Sequence, residues 1–256
     1  MLCVIEEICE RKTKLAGQMD LFAEWIAECT FKAISACESP IEKAFAGGLL
    51  LTFLFQESFG VLVTEPLKNV KQDVQSITAA LRRRACIEQD WEQHLEDHKE
   101  DMRCISRNME AAYLAEYPRF DSLDSYARHL LETGKLMPDE FRLLFEDPIV
   151  SKGTLASSAF ILSPQSVFPG LGADQKNARV DMYIWCPDQP KLQMIVECDG
   201  YQYHSDKSQF IADRKRDRNL KRAGYDVYRF AGAELYVDMK KVADEVFATA
   251  LMYRFG

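Results

Sequence analysis

Two strand-like runs that end in acids decide the fold of this chain: RVDMYIW at residues 179–185 and MIVECDG at residues 194–200. Residues 187–190, PDQP, predict the turn that joins them. Side chains alternate faces along a strand, so Glu197 and Asp199 point the same way, and a hairpin brings Asp181 toward them. Crowded carboxylates repel one another, and a hard divalent cation relieves that repulsion. The pattern predicts Mg²⁺ or Mn²⁺ bound by Asp181, Glu197 and Asp199 for phosphoryl chemistry.

Each of these acids also has a purely structural interpretation. Asp181 could form an ion pair with Arg179 on the hairpin, and an Asp before a Gly, as at Asp199, is ordinary turn chemistry. Glu197 is harder to explain in this way, because a carboxylate at the end of an apolar run is costly to bury without a partner. Glu197 is therefore the strongest single indication of a functional site.

More motifs follow the acids: His204, a basic stretch around residues 213–217, and AGYDVYRF at residues 223–230. As a set, over roughly residues 159–237, they resemble the core of PD-(D/E)XK nucleases. Within that superfamily they are most similar to the branch of very-short-patch mismatch-repair endonucleases. The superfamily usually has Lys two residues after the Glu, where this chain has Asp199; that branch also lacks the Lys.

The resemblance implies an α/β fold with a restriction-endonuclease-like core, in which helices flank a mixed central sheet. It also implies a metal-dependent endonuclease in repair, restriction or defence against phage, for which DNA is the first choice of substrate and RNA the open alternative. His204 would serve as general base or steady the scissile phosphate, although a half-exposed loop histidine is the alternative. Gln202 would contact the phosphate or a metal-bound water.

Residues 39–42, SPIE, form a capping box that predicts a helix over about residues 39–55. Glu42 could simply cap this helix. The resemblance implies instead that an early helix donates an acid to the active site, which favours Glu42, with Glu38 as the second choice.

The clearest basic segment is a predicted helix over residues 206–223. Its cations could hold a phosphate backbone beside the metal site, as a nucleic-acid-binding surface. The candidates are Lys207, Arg214, Lys215 and Arg218, of which Lys207 or Lys215 could replace the missing active-site Lys. The alternative is a solvated amphipathic helix, and for both interpretations the residues expected to face inward are Phe210, Ile211 and Leu220.

Composition restricts the class of protein. The 256 residues carry a formal net charge of −8, which argues mildly against tight non-specific binding to nucleic acid unless a local patch provides it. Eight cysteines without a Cys-x-x-Cys pattern suit free thiols in a reducing cytosol. The N-terminus has no secretory signal pattern and no run is long enough to cross a bilayer. These features predict a cytoplasmic protein without a membrane segment.

We predict three parts: N-terminal helices over residues 1–56, a helical insertion over residues 57–150, and a nuclease core over residues 151–256. The insertion could select the substrate or bind a protein partner. A rival interpretation is a catalytically inactive nuclease-like module that binds nucleic acid or protein within a larger complex. The rival is favoured by the acidic net charge, by Asp199 in place of the usual Lys, and by the long insertion.

Overall fold

The computed structural model describes residues 26–56, 61–104, 109, 120–146, 159–199 and 207–255. The chain divides into two compact units, one of Met1–Val70 with Phe160–Gly256 and one of Lys71–Ala159. His204 and Gln202 lie outside the described residues. In chain order the elements are α1 (residues 26–36), α2 (Pro40–Gln56), β1 (Val61–Val63), α3 (Val70–Cys104), α4 (Leu123–Glu132), α5 (Pro138–Phe141), a π-helical turn (Arg142–Glu146), β2 (Phe160–Phe168), a 3-10 turn (Ala173–Gln175), β3 (Ala178–Cys186), β4 (Gln189–Asp199), α6 (Lys207–Arg222), β5 (Asp226–Ala231) and α7 (Gly232–Phe255).

The first unit contains a five-stranded mixed sheet in the order β1-β2-β3-β4-β5. Strands β2, β3 and β4 are antiparallel, whereas β1 and β5 run parallel to their neighbours at the two edges. The predicted hairpin is confirmed, with Met182 opposite Val196. The expectation that residues from 57 onward are helical was wrong at β1, which pairs with β2 through three apolar residues.

One face of the sheet is buried beneath α1, α2 and α7. Its even-numbered side chains, such as Met182 and Val196, belong to one apolar cluster with the three helices. The ring of Phe53 packs edge-on against Phe160 at 5.3 Å and against Phe247 at 4.9 Å between centroids. This packing fixes α2 against the sheet, and the start of α2 carries Glu42.

The odd-numbered side chains of β3 and β4 form the opposite face. Tyr183 and Trp185 are fully buried there, and Tyr183 packs edge-on against Phe168 at 5.3 Å. Farther along the same strands the odd positions become acidic, at Asp181 on β3 and Glu197 on β4. One strand pair therefore supplies both an apolar layer and a polar pocket.

Helix α6 confirms the predicted span but not its predicted inner face. Leu220 is fully buried, whereas Phe210 and Ile211 remain 48% and 47% exposed. The expectation that these two residues face inward was wrong, because the part of the helix that meets the sheet carries Arg216 and Leu220 instead.

The second unit is helical where it is described. Arg84 of α3 is buried, forms an ion pair with Glu88 at 2.7 Å, donates to the Leu144 carbonyl at 2.9 Å and lies over the Phe145 ring. Of the three consecutive arginines at residues 82–84, Arg84 is therefore buried, whereas Arg82 and Arg83 are exposed. No described helix in either unit is long and apolar enough to cross a bilayer. The described cysteine side chains, those of Cys29, Cys37, Cys86, Cys186 and Cys198, are free thiols.

Candidate active site

Asp181 and Glu197 line one cavity of about 260 Å³ in the first unit, which we call the acid cavity. The β3–β4 register puts them on the same face of neighbouring strands, since Met182 and Val196 are partners on the other face. Asp181 is held in place because its Oδ2 accepts a hydrogen bond from the Cys198 N–H at 2.8 Å. The two predicted acids therefore meet in one pocket.

Burial raises the pKa of both carboxyl groups. Glu197 is only 5% exposed, and burial raises its pKa from 4.5 to about 8, although the nearby Arg216 guanidinium opposes the shift. Burial also raises the pKa of Asp181, the Cys198 N–H opposes the rise, and the charge of Glu42 adds to it. Each acid thus disfavours ionisation of its neighbour, which is the condition that a bound cation relieves.

One buried oxygen has no hydrogen bond among the described residues. Glu197 Oε1 faces Arg216 Nη2 at 3.3 Å without hydrogen-bond geometry, and Arg216 Nε also lacks a hydrogen-bond partner there. A buried carboxylate oxygen without a hydrogen bond is costly. The pocket therefore fits a divalent cation, which would satisfy this oxygen and the charge of Asp181 together.

Glu42 both caps α2 and lines the cavity. Its N–H donates to Ser39 Oγ at 3.2 Å, and the Ser39 hydroxyl donates to Glu42 Oε1 at 2.7 Å. The N–H of Glu38 donates to Glu42 Oε2 at 3.0 Å, in place of the N–H of Ser39. The two interpretations of Glu42 are thus compatible, because a capped carboxylate still reaches the pocket.

Gln165 connects Glu42 to Asp181, and sequence reasoning missed it. Its amide nitrogen donates to Glu42 Oε2 at 3.1 Å and to Asp181 Oδ1 at 3.4 Å. Its carbonyl oxygen accepts from Arg179 Nε at 2.7 Å. The backbone of Gln165 is left-handed, with φ of 47°, a conformation that costs free energy in a residue with a side chain.

Arg179 continues the network to Glu38, with an ion pair of 2.6 Å. The structural interpretation of Asp181, an ion pair with Arg179, does not hold, since the Arg179 contacts are with Glu38 and Gln165. Glu38 lines the cavity, but its carboxylate is paired with Arg179. Glu42 is instead linked through Gln165 to Asp181. Glu42 therefore keeps its place as the first choice for a third acid.

Asp199 is held by an arginine. Arg229 Nη1 donates to Asp199 Oδ1 at 2.5 Å, and the same guanidinium donates to both oxygens of Asp217 at 3.0 and 3.1 Å. Burial would lower the pKa of Arg229, but Asp217, Glu197 and Asp199 outweigh it and raise that pKa. Within the described ranges no three acidic, histidine or cysteine side chains are grouped to hold a metal ion. Asp199 lines the same cavity as Asp181 and Glu197, but its carboxylate is paired with Arg229.

The predicted nucleic-acid-binding residues lie on α6. Arg214, Lys215 and Arg218 are exposed, and Lys215 contacts Asp174 at 3.4 Å, away from the acid cavity. The side chain of Lys207 is outside the described part. Of the α6 cations it is Arg216 that reaches Glu197, so Lys215 does not take the position of the missing Lys.

Arg216 and Arg229 are the other pocket residues that the sequence left unassigned. Arg229 belongs to the motif of residues 223–230, directly opposite Glu197 in the β4–β5 register. Arg216 could have been found from its spacing, because it lies four residues before Leu220, the buried position of the helix. Nothing in the local sequence around Gln165 indicates its role.

One part of the chain matches a known family model. A family model described as REase_MTES_1575, a restriction-endonuclease-like family, matches residues 169–249. These residues span β3, β4, α6, β5 and most of α7. Searches of curated proteins and of solved structures gave no significant match. The match supports the nuclease superfamily but does not support membership of the very-short-patch branch. The mixed sheet with its flanking helices is thus an α/β restriction-endonuclease-like core, and its acid-bearing half is similar to the REase_MTES_1575 family.

Proposed function

We propose that this protein is a metal-dependent endonuclease that hydrolyses phosphodiester bonds of DNA. The observation that carries the proposal is Glu197, a buried carboxyl group whose pKa is raised and whose Oε1 accepts no hydrogen bond from a described residue, in one cavity with Asp181 and Glu42. A pocket of this kind favours a cation beside anionic oxygens, and a phosphodiester supplies such oxygens. The similarity to a restriction-endonuclease-like family points to the same chemistry.

Asp181 and Glu197 would hold Mg²⁺ or Mn²⁺, and Glu42 would complete the acid set in place of Asp199. When bound, a metal ion would supply charge neutralisation at the phosphate and would make water a better nucleophile. Gln165 keeps Glu42 and Asp181 at a fixed separation through its two hydrogen bonds. Arg216 neutralises Glu197 and lies where it can meet a phosphate oxygen. Asp199 with Arg229 would steady the end of β4 and position the water.

The remaining predicted roles belong to this proposal. His204 would act as general base and Gln202 would contact the phosphate. Lys207, Arg214, Lys215 and Arg218 would bind the DNA backbone. We also propose kinship with very-short-patch repair endonucleases, a cytoplasmic role in repair, restriction or phage defence, and a protein partner for the helices within residues 57–150.

The test is cleavage of supercoiled plasmid and of labelled oligonucleotides by the full chain, with Mg²⁺, with Mn²⁺ and with a chelator. We expect cleavage with the metals only, and a loss of at least about a hundredfold, or about 2.7 kcal/mol of transition-state stabilisation, in Asp181→Asn and in Glu197→Gln. Asp188→Asn is the matched control, since Asp188 is an exposed acid at the turn of the same hairpin. Cleavage that persists in both pocket variants would reject the proposal.

A second candidate, a non-catalytic binding module, is favoured by one observation. Arg216 and Arg229 already pair with Glu197 and Asp199, so two acids of the cavity have cationic partners within the protein itself. Calorimetric titration with Mn²⁺ separates the two candidates. A module would bind oligonucleotide without binding Mn²⁺, whereas the nuclease binds Mn²⁺ and loses that binding in Asp181→Asn.

A further inference from the structure

A second cavity, of about 480 Å³, lies between α6 and β5 in the same unit. Four basic side chains and two acidic ones line it, which gives a formal charge of +2 in a chain of net charge −8. The basic residues are Arg214, Arg218, Lys221 and Arg229. We call this cavity the basic groove.

Three of these cations and one aromatic ring form a stripe on α6. Phe210, Arg214, Arg218 and Lys221 follow one another at steps of four, four and three residues, which places them on one helix face. The Arg214 guanidinium lies over the exposed Phe210 ring, 5.0 Å from its centroid. Tyr228 of β5 lines the groove itself, whereas Phe210 lies next to it through its contact with Arg214.

The acids of the groove are already engaged. Asp217 accepts both hydrogen bonds from the forked end of Arg229, and Asp226 accepts a hydrogen bond from the Tyr253 hydroxyl. Arg218 and Lys221 form no salt bridge with any described residue, and both are exposed. Their charges therefore remain available to an anion from outside.

The groove adjoins the acid cavity through one residue. Arg229 lines both cavities, with its guanidinium between Asp199 on one side and Asp217 on the other. The groove also follows β5, an edge strand of the described sheet. A polymer bound along the stripe would lie next to the residue that borders the cavity of Glu197 and Asp181.

We propose that the basic groove binds an unpaired strand of nucleic acid and leads it to the acid cavity. Arg214, Arg218 and Lys221 bind successive phosphates, and a base stacks on Phe210. An aromatic ring next to an arginine binds the exposed face of a base, which an unpaired strand presents and a duplex conceals in its own stack. This inference rests on the proposed function and narrows its substrate to DNA with a single-stranded segment.

The experiment measures binding without cleavage. The full chain, with the metal chelated, is titrated into a fluorescently labelled 12-nucleotide oligothymidine and into a duplex of the same length, at several salt concentrations. We expect tighter binding to the single strand. The double variant Arg218→Ala/Lys221→Ala should lower the slope of log affinity against log salt by about 1.4, since each phosphate contact contributes about 0.7.

Phe210→Ala should weaken single-strand binding at least about fivefold and leave the salt slope unchanged, because stacking releases no counterions. Arg222→Ala is the matched control, an exposed cation of the same helix that does not line the groove. It should change the affinity less than twofold. Thermal unfolding of each variant confirms that these exposed substitutions leave the fold intact.

Equal or tighter binding of the duplex would overturn the inference, as would unchanged binding in both groove variants. Displacement of the oligonucleotide by an equal charge of polyglutamate would also overturn it, since the groove would then be a general anion surface. Failure of this inference is distinct from failure of the proposed function. Binding that survives while no metal-dependent cleavage occurs rejects only the nuclease, and cleavage without groove-dependent binding rejects only the groove.

Discussion

At the residue scale, Glu197 makes stability depend on pH. Its pKa is about 8 in the folded chain and ordinarily 4.5. Between these values the folded state holds a proton that the unfolded state releases, so raising the pH favours unfolding. We expect the free energy of unfolding of the metal-free protein to fall by up to about 1.4 kcal/mol per pH unit over this window. Denaturant titrations from pH 4.5 to 9 measure the fall.

Glu197→Gln removes this titration and is the comparison for the same experiment. The variant should lose much less stability over the window, and the raised pKa of Asp181 should account for part of what remains. Parallel curves for the wild type and Glu197→Gln would show that Glu197 ionises normally in the folded chain.

Arg216 should matter most when Glu197 is ionised. Arg216→Ala leaves a buried carboxylate without its cation, and breaking a buried pair costs about 3 kcal/mol or more. We expect the loss in chemical denaturation to be large at pH 9 and small at pH 5. The double variant Arg216→Ala/Glu197→Gln should recover most of the loss at pH 9, and a strictly additive result would contradict the pairing.

Sequence reasoning at this scale succeeds where the cost of burial is visible in the sequence. An acid that ends an apolar strand, as Glu197 does, requires a partner, and Asp181 follows from the hairpin. The sequence was less informative on Asp199, because the competition between a metal and Arg229 depends on a neighbour on another strand. Gln165 was missed because its role depends on a left-handed backbone and on a contact 123 residues away.

At the element scale, α2 combines a cap with a site residue. Ser39→Ala removes one hydrogen bond to the helix backbone and one to the Glu42 carboxylate, and should cost about 1 kcal/mol of stability. Ser122→Ala at the start of α4 is the matched control, because the Ser122 hydroxyl likewise accepts the N–H of the residue three positions on, Ser125, and lies outside the site. Both variants should lose similar stability in thermal unfolding. Only Ser39→Ala should also slow cleavage several-fold, and equal activity in the two would contradict a role for Glu42 in the pocket.

Elements with a strong local signal were predictable. The hairpin β3–β4 and the helix α6 both follow from apolar spacing and turn residues. Strand β1 was not, because three residues are too few for a period, and only its pairing with β2 defines it.

At the scale of the whole molecule, a divalent cation should stabilise the fold. Six carboxylates and three guanidiniums line the acid cavity, in a chain already at −8. A ligand that binds only the folded state adds about 2.7 kcal/mol at a hundred times its dissociation constant. We expect Mn²⁺ to raise the melting temperature of the wild type and to leave Asp181→Asn unchanged. Equal shifts in both would place the metal elsewhere.

The arginines of the acid cavity also determine how such a cation can enter. When Glu197 is ionised, Arg216 is its counterion, so an incoming metal ion must displace a cation that stays attached to the chain. Metal binding would therefore release the Arg216 guanidinium within the cavity. A substrate phosphate would then find a second positive group that the resting protein keeps occupied.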